Sequence, residues 1–192
     1  MHDEIAAALA AAGHGDDPTL LVAHLHSEVG RHRHLALAGL ERMGELSDDE
    51  LSRALSDDHA TVRRTAARLA ATHPTVDLIG ALADDEPLVV ETAAWAIGEQ
   101  ATGDDSARLA LERLAAEHAD PLCREAAVAA LGALAHPDSL DTLLSATSDK
   151  APVRRRAVLA LVSYEGPEVD AALEAALDDR DWQVRQAAED VR

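Results

Sequence analysis

Four histidines near the amino end of the chain are the first residues whose type and spacing could do chemistry. They are His24, His26, His32 and His34. His24 and Glu28 are four residues apart, which on one helix would place an imidazole and a carboxylate side by side, as a metal site needs. Neighbouring histidines such as His24 and His26, however, are two residues apart and point to different faces of a helix. We interpret the four as polar residues near an amino-terminal cap, and we predict no metal and no cofactor.

The single cysteine, Cys123, is a candidate nucleophile. A reactive thiolate needs exposure and a basic neighbour, and the adjacent Arg124 should point elsewhere because successive residues diverge on a helix. Cys123 also occupies a position that valine fills in other copies of a repeated phrase. We therefore predict a small buried hydrophobe, no catalytic residue, and no internal disulfide, which would need a second cysteine.

The repeated phrase recurs at intervals of roughly 30 residues, a period typical of repeat proteins. Three copies read "DDHATVRRTAARLA", "ADPLCREAAVAALGAL" and "DDRDWQVRQAAEDV". We call the residue just before the recurring arginine position the anchor. The anchors are Val62, Val89, Cys123, Val153 and Val184, with a weaker copy at His32. Small or apolar residues follow most anchors at four, seven and eight positions, a spacing that forms one face of a helix.

Composition favours helices throughout the chain. Its 192 residues are 47% hydrophobic, yet they include no phenylalanine, one tyrosine and two tryptophans. Alanine, which is abundant, is the strongest helix former, and so few aromatic residues argue against a β-sandwich or an α/β sheet. Acids and prolines, which suit helix starts, precede most anchors. The prolines that open the helices between the anchors are Pro18, Pro74, Pro137 and Pro167. We predict an all-α protein in which each repeat combines an anchor helix with a second helix.

The phrases resemble HEAT-like repeats of the short kind first noted in phycobilisome lyases, over roughly residues 31 to 192. The resemblance implies a right-handed α-α superhelix, a solenoid of about five and a half helix pairs. It would form a single domain over residues 1–192, with capping helices over residues 1–30. The repeats would begin near residues 31, 59, 86, 120, 150 and 181.

The resemblance also implies roles for individual residues. Arginines after the anchors would join acids in the turns to form a ladder between repeats. The ladder residues are Asp57, Arg63, Arg124, Arg154, Asp179 and Arg185. Val90 departs from the pattern by replacing an arginine, and His118 and Ser148 stand where an acid is expected. The second helices would form the inner wall of the solenoid, which is the candidate surface for a partner. Its polar residues are Asp77, Arg108, Glu112, Asp141, Ser145, Asp170 and Glu174. The alternative interpretation of these residues is a solvated helix face.

We predict a non-catalytic scaffold or adaptor that binds a protein partner. The alternative is an enzyme or enzyme subunit of the HEAT-like class, either bilin-lyase-like or similar to the iron-dependent hydroxylase of deoxyhypusine. That hydroxylase family carries recurring His-Glu dipeptides, and this chain has none. We predict no nucleic-acid partner, because the basic runs at 63–64 and 154–156 lie among acids. The aromatic residues Trp95, Tyr164 and Trp182 are also too dispersed to stack bases.

The formal net charge is −19, and Lys150 is the only lysine among 17 basic residues. The acids are spread along the chain as short pairs, a pattern that resembles proteins of halophilic archaea. In about 1 M salt the Debye length is roughly 3 Å, so net charge would say little about partners. The amino terminus carries acids where a secretory signal carries positive charge, and its apolar run is too short to span a bilayer. We predict a cytoplasmic monomer with no membrane partner.

Overall fold

The computed structural model describes residues 2–102 and 104–191, and all regular structure over those residues is helical. The prediction of an all-α protein is therefore confirmed. The α-helices are α1 (His2–Ala12), α2 (Thr19–His24), α3 (Gly30–Met43), α4 (Asp48–Ala54), α5 (Ala60–Leu69), α6 (Pro87–Gln100), α7 (Asp105–Glu117), α8 (Pro121–Leu134), α9 (Leu140–Ala146), α10 (Ala151–Ala160), α11 (Pro167–Leu177) and α12 (Trp182–Asp190). Short 3-10 helices lie at Ala70–Thr72, Ile79–Ala83, Pro137–Ser139 and Leu161–Ser163.

The helices form two layers. One layer contains α1 and the anchor helices α3, α5, α6, α8, α10 and α12, each packed against the next in chain order. The second helices are α2, α4, α7, α9 and α11, and each packs against the anchor helix that follows it. By packing, a structural pair is thus a second helix and the following anchor helix. Two helices lack a second α-helix before them: α1, at the amino end of the stack, and α6, which packs against the 3-10 helix Ile79–Ala83 instead.

The core lies between the two layers and consists of aliphatic side chains. All five anchors of the clear repeats are buried. The second helices contribute fully buried leucines from the opposite side, among them Leu21, Leu51, Leu111 and Leu143. Burial of such side chains is the main favourable term in folding, at about 25 cal/mol per Å² of apolar surface. Because each pair buries its apolar face against its neighbours, the stack is stabilised joint by joint.

Adjacent anchor helices approach closely at glycine positions. A Cβ atom added to Gly132 of α8 would lie 2.6 Å from the Cβ of Ala160 in α10, which is shorter than a normal contact. At Gly98 of α6, the corresponding atom would lie 3.1 Å from the Cα of Ala130 in α8. The small residues of the repeated phrase therefore set the distance between neighbouring anchor helices.

The prediction that Pro74 opens an α-helix is wrong. The segment that follows it forms only the 3-10 helix Ile79–Ala83. Gln100, at the end of α6, reaches back and donates from its side-chain amide to the backbone oxygens of His73 and Val76, at 3.0 and 3.1 Å. The oxygen of His73 also accepts the backbone N–H of Val76, at 3.0 Å, so the side chain of Gln100 braces a local turn in this segment. Over the described residues, no helix has the length and apolar composition needed to cross a bilayer.

Candidate functional site

Arginines that follow the anchors link each turn to the next. Arg154 donates from Nε and Nη2 to the carboxylate of Asp179, at 2.8 and 2.7 Å, and from Nη1 to the backbone oxygen of Asp149, at 2.7 Å. The side chains of Arg154 and Asp179 are only 6% and 15% exposed, so this bidentate pair is largely shielded from water. The same geometry recurs at three other joints. The pairs there are Arg33 with Asp57, Arg63 with Asp84, and Arg124 with Asp149.

The ladder pairs keep their acids ionised. The hydrogen bond from Arg154 lowers the pKa of Asp179 below its usual range. The equivalent arginines act in the same way on Asp84 and Asp149. A carboxylate held ionised in this way is a poor general acid or base at neutral pH. The geometry of these residues therefore serves to position the turns.

The ladder is interrupted at one joint, between α6 and α8. Val90 stands at the arginine position of α6 and is fully buried, while His118 stands at the acid position before α8. The arginine and the acid that would form this pair are therefore both replaced, and the joint has no ladder pair. His118 keeps the local role of the acid, because its Nδ1 accepts the backbone N–H of Asp120 at 3.1 Å. In the turn before α5, Asp57 accepts the N–H of His59 in the same way.

Two further residues, Ser148 and Arg185, differ from the regular ladder pattern. At Ser148 the acid has moved by one position, since Asp149 makes the pair with Arg124. Arg185 donates from Nη1 to the backbone oxygen of Asp179, at 2.7 Å. Arg185 thus makes the same bond to the backbone of its own turn that Arg154 makes to Asp149.

Two of the predicted inner-wall residues belong to a structural network. Arg108, which is 9% exposed, donates to the carboxylate of Glu112 at 2.8 Å. Glu112 also accepts from the hydroxyl of the fully buried Ser139, at 2.8 Å. This network joins α7 to the turn before α9 and leaves little of Arg108 for a partner. Asp77 lies in the irregular segment between α5 and α6, where it accepts the backbone N–H of Ile79 at 2.8 Å.

The remaining predicted inner-wall residues lie on the surface of the second helices. Asp141, Ser145, Asp170 and Glu174 are all exposed. Asp141 and Ser145 border an open groove of 440 Å³ between α7 and α9. These residues stay a candidate surface for a partner.

The packing of the two layers bears on which one is the inner layer. Successive anchor helices contact each other extensively, whereas successive second helices make only sparse contacts. In a curved stack, neighbouring elements lie closer together on the inner side. The packing therefore favours the anchor helices as the inner layer, which is opposite to what the family resemblance implied.

An exposed tryptophan marks the surface of the anchor helices. Trp95 of α6 is 45% exposed and lies one helical turn from both Glu91 and Glu99, since residues four apart share a helix face. Beside it is a groove of 340 Å³ that runs between α6 and α8. We call this the Trp95 groove. It is lined by Glu91, Trp95, Glu99, Leu122, Glu125 and Arg156, with alanines of α8 between them.

A second groove lies on the other side of Trp95, between α5 and α6, and has a volume of 540 Å³. Its charged lining comes mainly from Arg64 and Arg68 of α5, both exposed, and His34 of α3 faces the same space. Burial lowers the pKa of His34, and the charge of Arg31 adds to this effect, so the imidazole is neutral at pH 7. The two grooves form one surface, which we call the anchor face. It consists of Arg64, Arg68, Glu91, Trp95, Glu99, Glu125 and Arg156.

Sequence reasoning set Trp95 aside because the aromatic residues are dispersed along the chain. The signal that could have found this surface is the spacing of Glu91, Trp95 and Glu99, which repeats every four residues on an anchor helix. Dispersion in sequence is a poor guide here, because a single exposed aromatic residue in a groove is sufficient to anchor a partner.

The amino-terminal histidines do not converge. The rings of His24 and His32 meet edge to face, with centroids 5.8 Å apart, and His32 is buried. His34 faces the groove beside α5, and His26 is exposed. Among the described residues, these side chains do not form a cluster of metal-ligand geometry.

Asp57, Asp58 and His59 do lie close enough together to be considered as metal ligands. The guanidinium of Arg33 already occupies their midst, with Nη2 at 2.5 Å from Asp57, 2.5 Å from Asp58 and 3.1 Å from Nδ1 of His59. A metal ion at this place would face a fixed positive charge. The cluster is part of the ladder.

Cys123 is fully buried and lies 3.6 Å from the backbone oxygen of Pro87. Burial raises the pKa of its thiol to about 11. The thiolate required of a nucleophile is therefore a minor form at neutral pH.

A sequence profile described as HEAT repeats matches residues 49–132, 75–161 and 110–191. No curated protein was found with a matching sequence.

Several solved structures have a similar fold. A designed armadillo repeat protein in complex with the peptide (KR)4 is 18% identical, with a TM-score of 0.67 over 92% of this chain and 98% of that one. The complex of CpcE and CpcF of phycocyanin lyase from Nostoc sp. PCC7120 is 24% identical, with a TM-score of 0.66 over 90% of this chain and 74% of that one. Human deoxyhypusine hydroxylase is 23% identical, with a TM-score of 0.50 over 97% of this chain and 77% of that one. At these identities the likeness shows the fold alone.

The profile matches overlap and together span residues 49–191, which is most of the chain. Over the same residues, helix pairs stack in register and bury their anchors between two layers. On both grounds, the chain belongs to the family of HEAT-repeat proteins.

Proposed function

We propose that this protein is a non-catalytic scaffold that binds a segment of a partner protein along the anchor face. The observation that carries the proposal is Trp95, a large aromatic side chain that stays 45% exposed between two adjoining grooves. Tryptophan and arginine are the residues most enriched at the energetic centres of protein interfaces. The anchor face places Trp95 between arginines of α5 and α10.

Neighbouring exposed side chains support the same surface. Leu88 of α6 and Leu122 of α8 are 40% and 36% exposed, and Leu122 lines the Trp95 groove. Apolar side chains grouped with an exposed tryptophan and rimmed by charges are typical of interaction sites. Two of the similar solved structures are complexes, one with a peptide and one between two proteins, which is consistent with this use of the fold.

The test compares two exposed tryptophans. Peptides that bind the parent protein are selected from a random library, and their affinities are then measured for Trp95→Ala and for the matched control Trp182→Ala. We expect Trp95→Ala to weaken binding by about tenfold or more, the size of a hot-spot effect. Trp182, which is 64% exposed on α12, should be replaceable without loss. Melting followed by circular dichroism checks that both variants stay folded.

The second helices provide the competing surface, so they are tested in the same assay. The double variant Asp141→Arg with Glu174→Arg reverses charges on α9 and α11. If this variant loses peptide binding while Trp95→Ala keeps it, the partner binds the second helices and the placement on the anchor face is wrong.

The alternative of a metal-dependent or pigment-binding enzyme has a direct test. We propose that the purified protein carries no stoichiometric metal and no pigment. Elemental analysis measures the metal, and an absorption spectrum measures the pigment. One equivalent of iron or zinc that is lost on His24→Ala would favour the enzyme.

We further propose a salt-adapted cytoplasmic monomer, as in halophilic archaea, whose partner is a protein and not nucleic acid. The net charge of −19 and the scarcity of lysine support salt adaptation. Acids outside the ladder, such as Asp141 and Asp170, lie exposed, where they would be hydrated in concentrated salt.

A further inference from the structure

We propose that the Trp95 groove receives a single lysine or arginine side chain of the partner, and that acidic side chains flank this residue in the partner. The inference rests on the proposed function, because it names the chemistry of the segment bound to the anchor face. It follows from the order of charges across four anchor helices.

The centre of the groove is suited to one cation. Glu91 and Glu99 lie one turn before and one turn after Trp95 on the same face of α6. A cation over the indole ring is attracted by the ring face, and most strongly so by tryptophan. The Cβ atoms of Glu91 and Glu99 each lie roughly 6 Å from that of Trp95, so both carboxylates border the same site. The apolar stem of a lysine or arginine would then cover the alanines of α8 that line the groove.

The negative charge of this centre is not neutralised within the protein. Across the groove, Glu125 of α8 is partly compensated by Arg156, whose Nη2 lies 3.7 Å from its carboxylate. No such pair involves Glu91 or Glu99 in the described parts of the chain, residues 2–102 and 104–191. An added cation would therefore supply a missing counter-charge and displace none that is already bound.

Both sides of the groove carry the opposite charge. On α5, Arg64 and Arg68 are exposed and line the adjoining groove. On α10, Arg156 lines the Trp95 groove. Along the stack, the charges thus run from positive on α5, through negative on α6 and α8, to positive on α10. A complementary segment has the order acid, base, acid.

This order disfavours a polybasic segment although the protein is strongly acidic overall. A run of lysines across the anchor face would place cations against the arginines of α5 and α10, and like charges set against each other weaken binding. The arginines therefore restrict the site to one isolated cation.

The spacing of the helices sets the spacing in the partner. Packed helices lie about 8 to 10 Å apart, and an extended chain rises about 3.3 Å per residue. The flanking arginines lie on helices about one and a half spacings from the centre of the groove, which corresponds to roughly four residues of the partner.

The test uses short capped peptides and measures their affinity by the fluorescence of Trp95 in a Trp182→Phe background, in molar KCl. The first peptide has a central lysine and one glutamate about four residues away on each side. Its control is an isomer of the same composition with the lysine at one end and the glutamates adjacent to each other. Both peptides carry the same net negative charge, so the acidic protein repels them equally and a difference reports the site.

We expect the first peptide to bind about tenfold more tightly than its isomer, and the double variant Glu91→Gln with Glu99→Gln to remove this preference. The matched control Asp141→Asn with Asp170→Asn changes the net charge equally on the second helices and should keep the preference. Replacing Arg64 and Arg68 by glutamine should reduce the advantage of the flanking glutamates and improve binding of a peptide with three lysines.

Two results would overturn the inference. One is equal affinity for the isomers. The other is tighter binding of the peptide with three lysines to the parent protein in molar salt. If library-selected peptides still lose affinity on Trp95→Ala in either case, the proposed function stands and only the charge assignment fails. If those peptides are insensitive to Trp95→Ala, the proposed function fails as well.

Discussion

At the scale of single residues, one arginine performs two tasks at each regular joint. It bonds the backbone of its own turn through Nη1 and the carboxylate of the next turn through Nε and Nη2, as Arg154 does with Asp149 and Asp179. The ladder could be expected from the resemblance of the repeated phrases to HEAT-like repeats. The sequence could not predict which turn each arginine reaches, because that depends on how successive repeats stack in space.

The ladder makes stability depend on pH in a definite direction. Arg124 lowers the pKa of Asp149 in the folded state. A carboxyl group whose folded pKa lies below the unfolded value of about 3.9 stabilises the protein above that value, and the contribution is lost as pH falls through the folded pKa. Arg124→Gln removes the cause of the shift.

We expect Arg124→Gln to reduce the free energy of unfolding by about 3 kcal/mol at neutral pH, because it leaves a largely buried carboxylate without its partner. The difference from the parent should shrink as the pH falls below the unfolded pKa of about 3.9. Urea unfolding followed by circular dichroism at several pH values measures both effects. Arg113→Gln, on the exposed side of α7, is the matched control and should change little. Equal losses for the two variants at neutral pH would contradict the assignment of Arg124 to the ladder.

At the scale of helices, small residues decide how the anchor helices meet. The small residues that follow the anchors share one helix face, and the approach of Gly132 to Ala160 shows how closely that face packs. The helix starts were predictable from local signals, since proline lies in the first turn of α6, α8, α10 and α11. The 3-10 helix Ile79–Ala83 was not, because the segment before it is held by Gln100, which comes from a later helix.

Gly132→Ala sets two effects against each other. Alanine favours a helix by about 1 kcal/mol relative to glycine. The added Cβ, however, would lie 2.6 Å from the Cβ of Ala160 and would force α8 and α10 apart. Overpacking usually costs about 1 to 3 kcal/mol, so after the gain in helix propensity we expect a net loss of up to about 2 kcal/mol.

Thermal and urea unfolding of Gly132→Ala measure this loss, and Gly80→Ala is its control. A Cβ at Gly80 would meet no atom within 4 Å, so this variant should be neutral or slightly more stable. A Gly132→Ala protein as stable as the parent would mean that α8 and α10 are free to move apart.

At the scale of the whole molecule, charge is distributed in two ways. Most arginines of the ladder form ion pairs with acids of the turns, while Arg64 and Arg68 of the anchor face remain on the surface. Net charge read from the sequence could not separate these groups, because each arginine counts equally in a sum of −19. The net charge therefore gave no sign of the anchor face, although the fold was predictable from the repeat.

The net charge itself predicts a response to salt. Repulsion among the excess acids should weaken the fold in dilute buffer, and molar KCl should strengthen it by screening the repulsion. Thermal melts followed by circular dichroism between about 0.1 and 3 M KCl measure this, and we expect the melting temperature to rise throughout. A melting temperature independent of salt would contradict salt adaptation.

The joint between α6 and α8, which has no ladder pair, sets the order in which the helix pairs of the solenoid separate in acid. Every other regular joint contains a carboxylate that loses its charge in acid, whereas this one is held by the buried Val90 and by the close approach of Gly98 to Ala130. This contact between the helices therefore contains no ladder carboxylate that acid could neutralise. As acid loosens the flanking joints, the backbone amides of α6 and α8 would keep their protection against hydrogen exchange longest. The centre of the stack then acts as a remnant from which the outer repeats can reassemble when the pH returns.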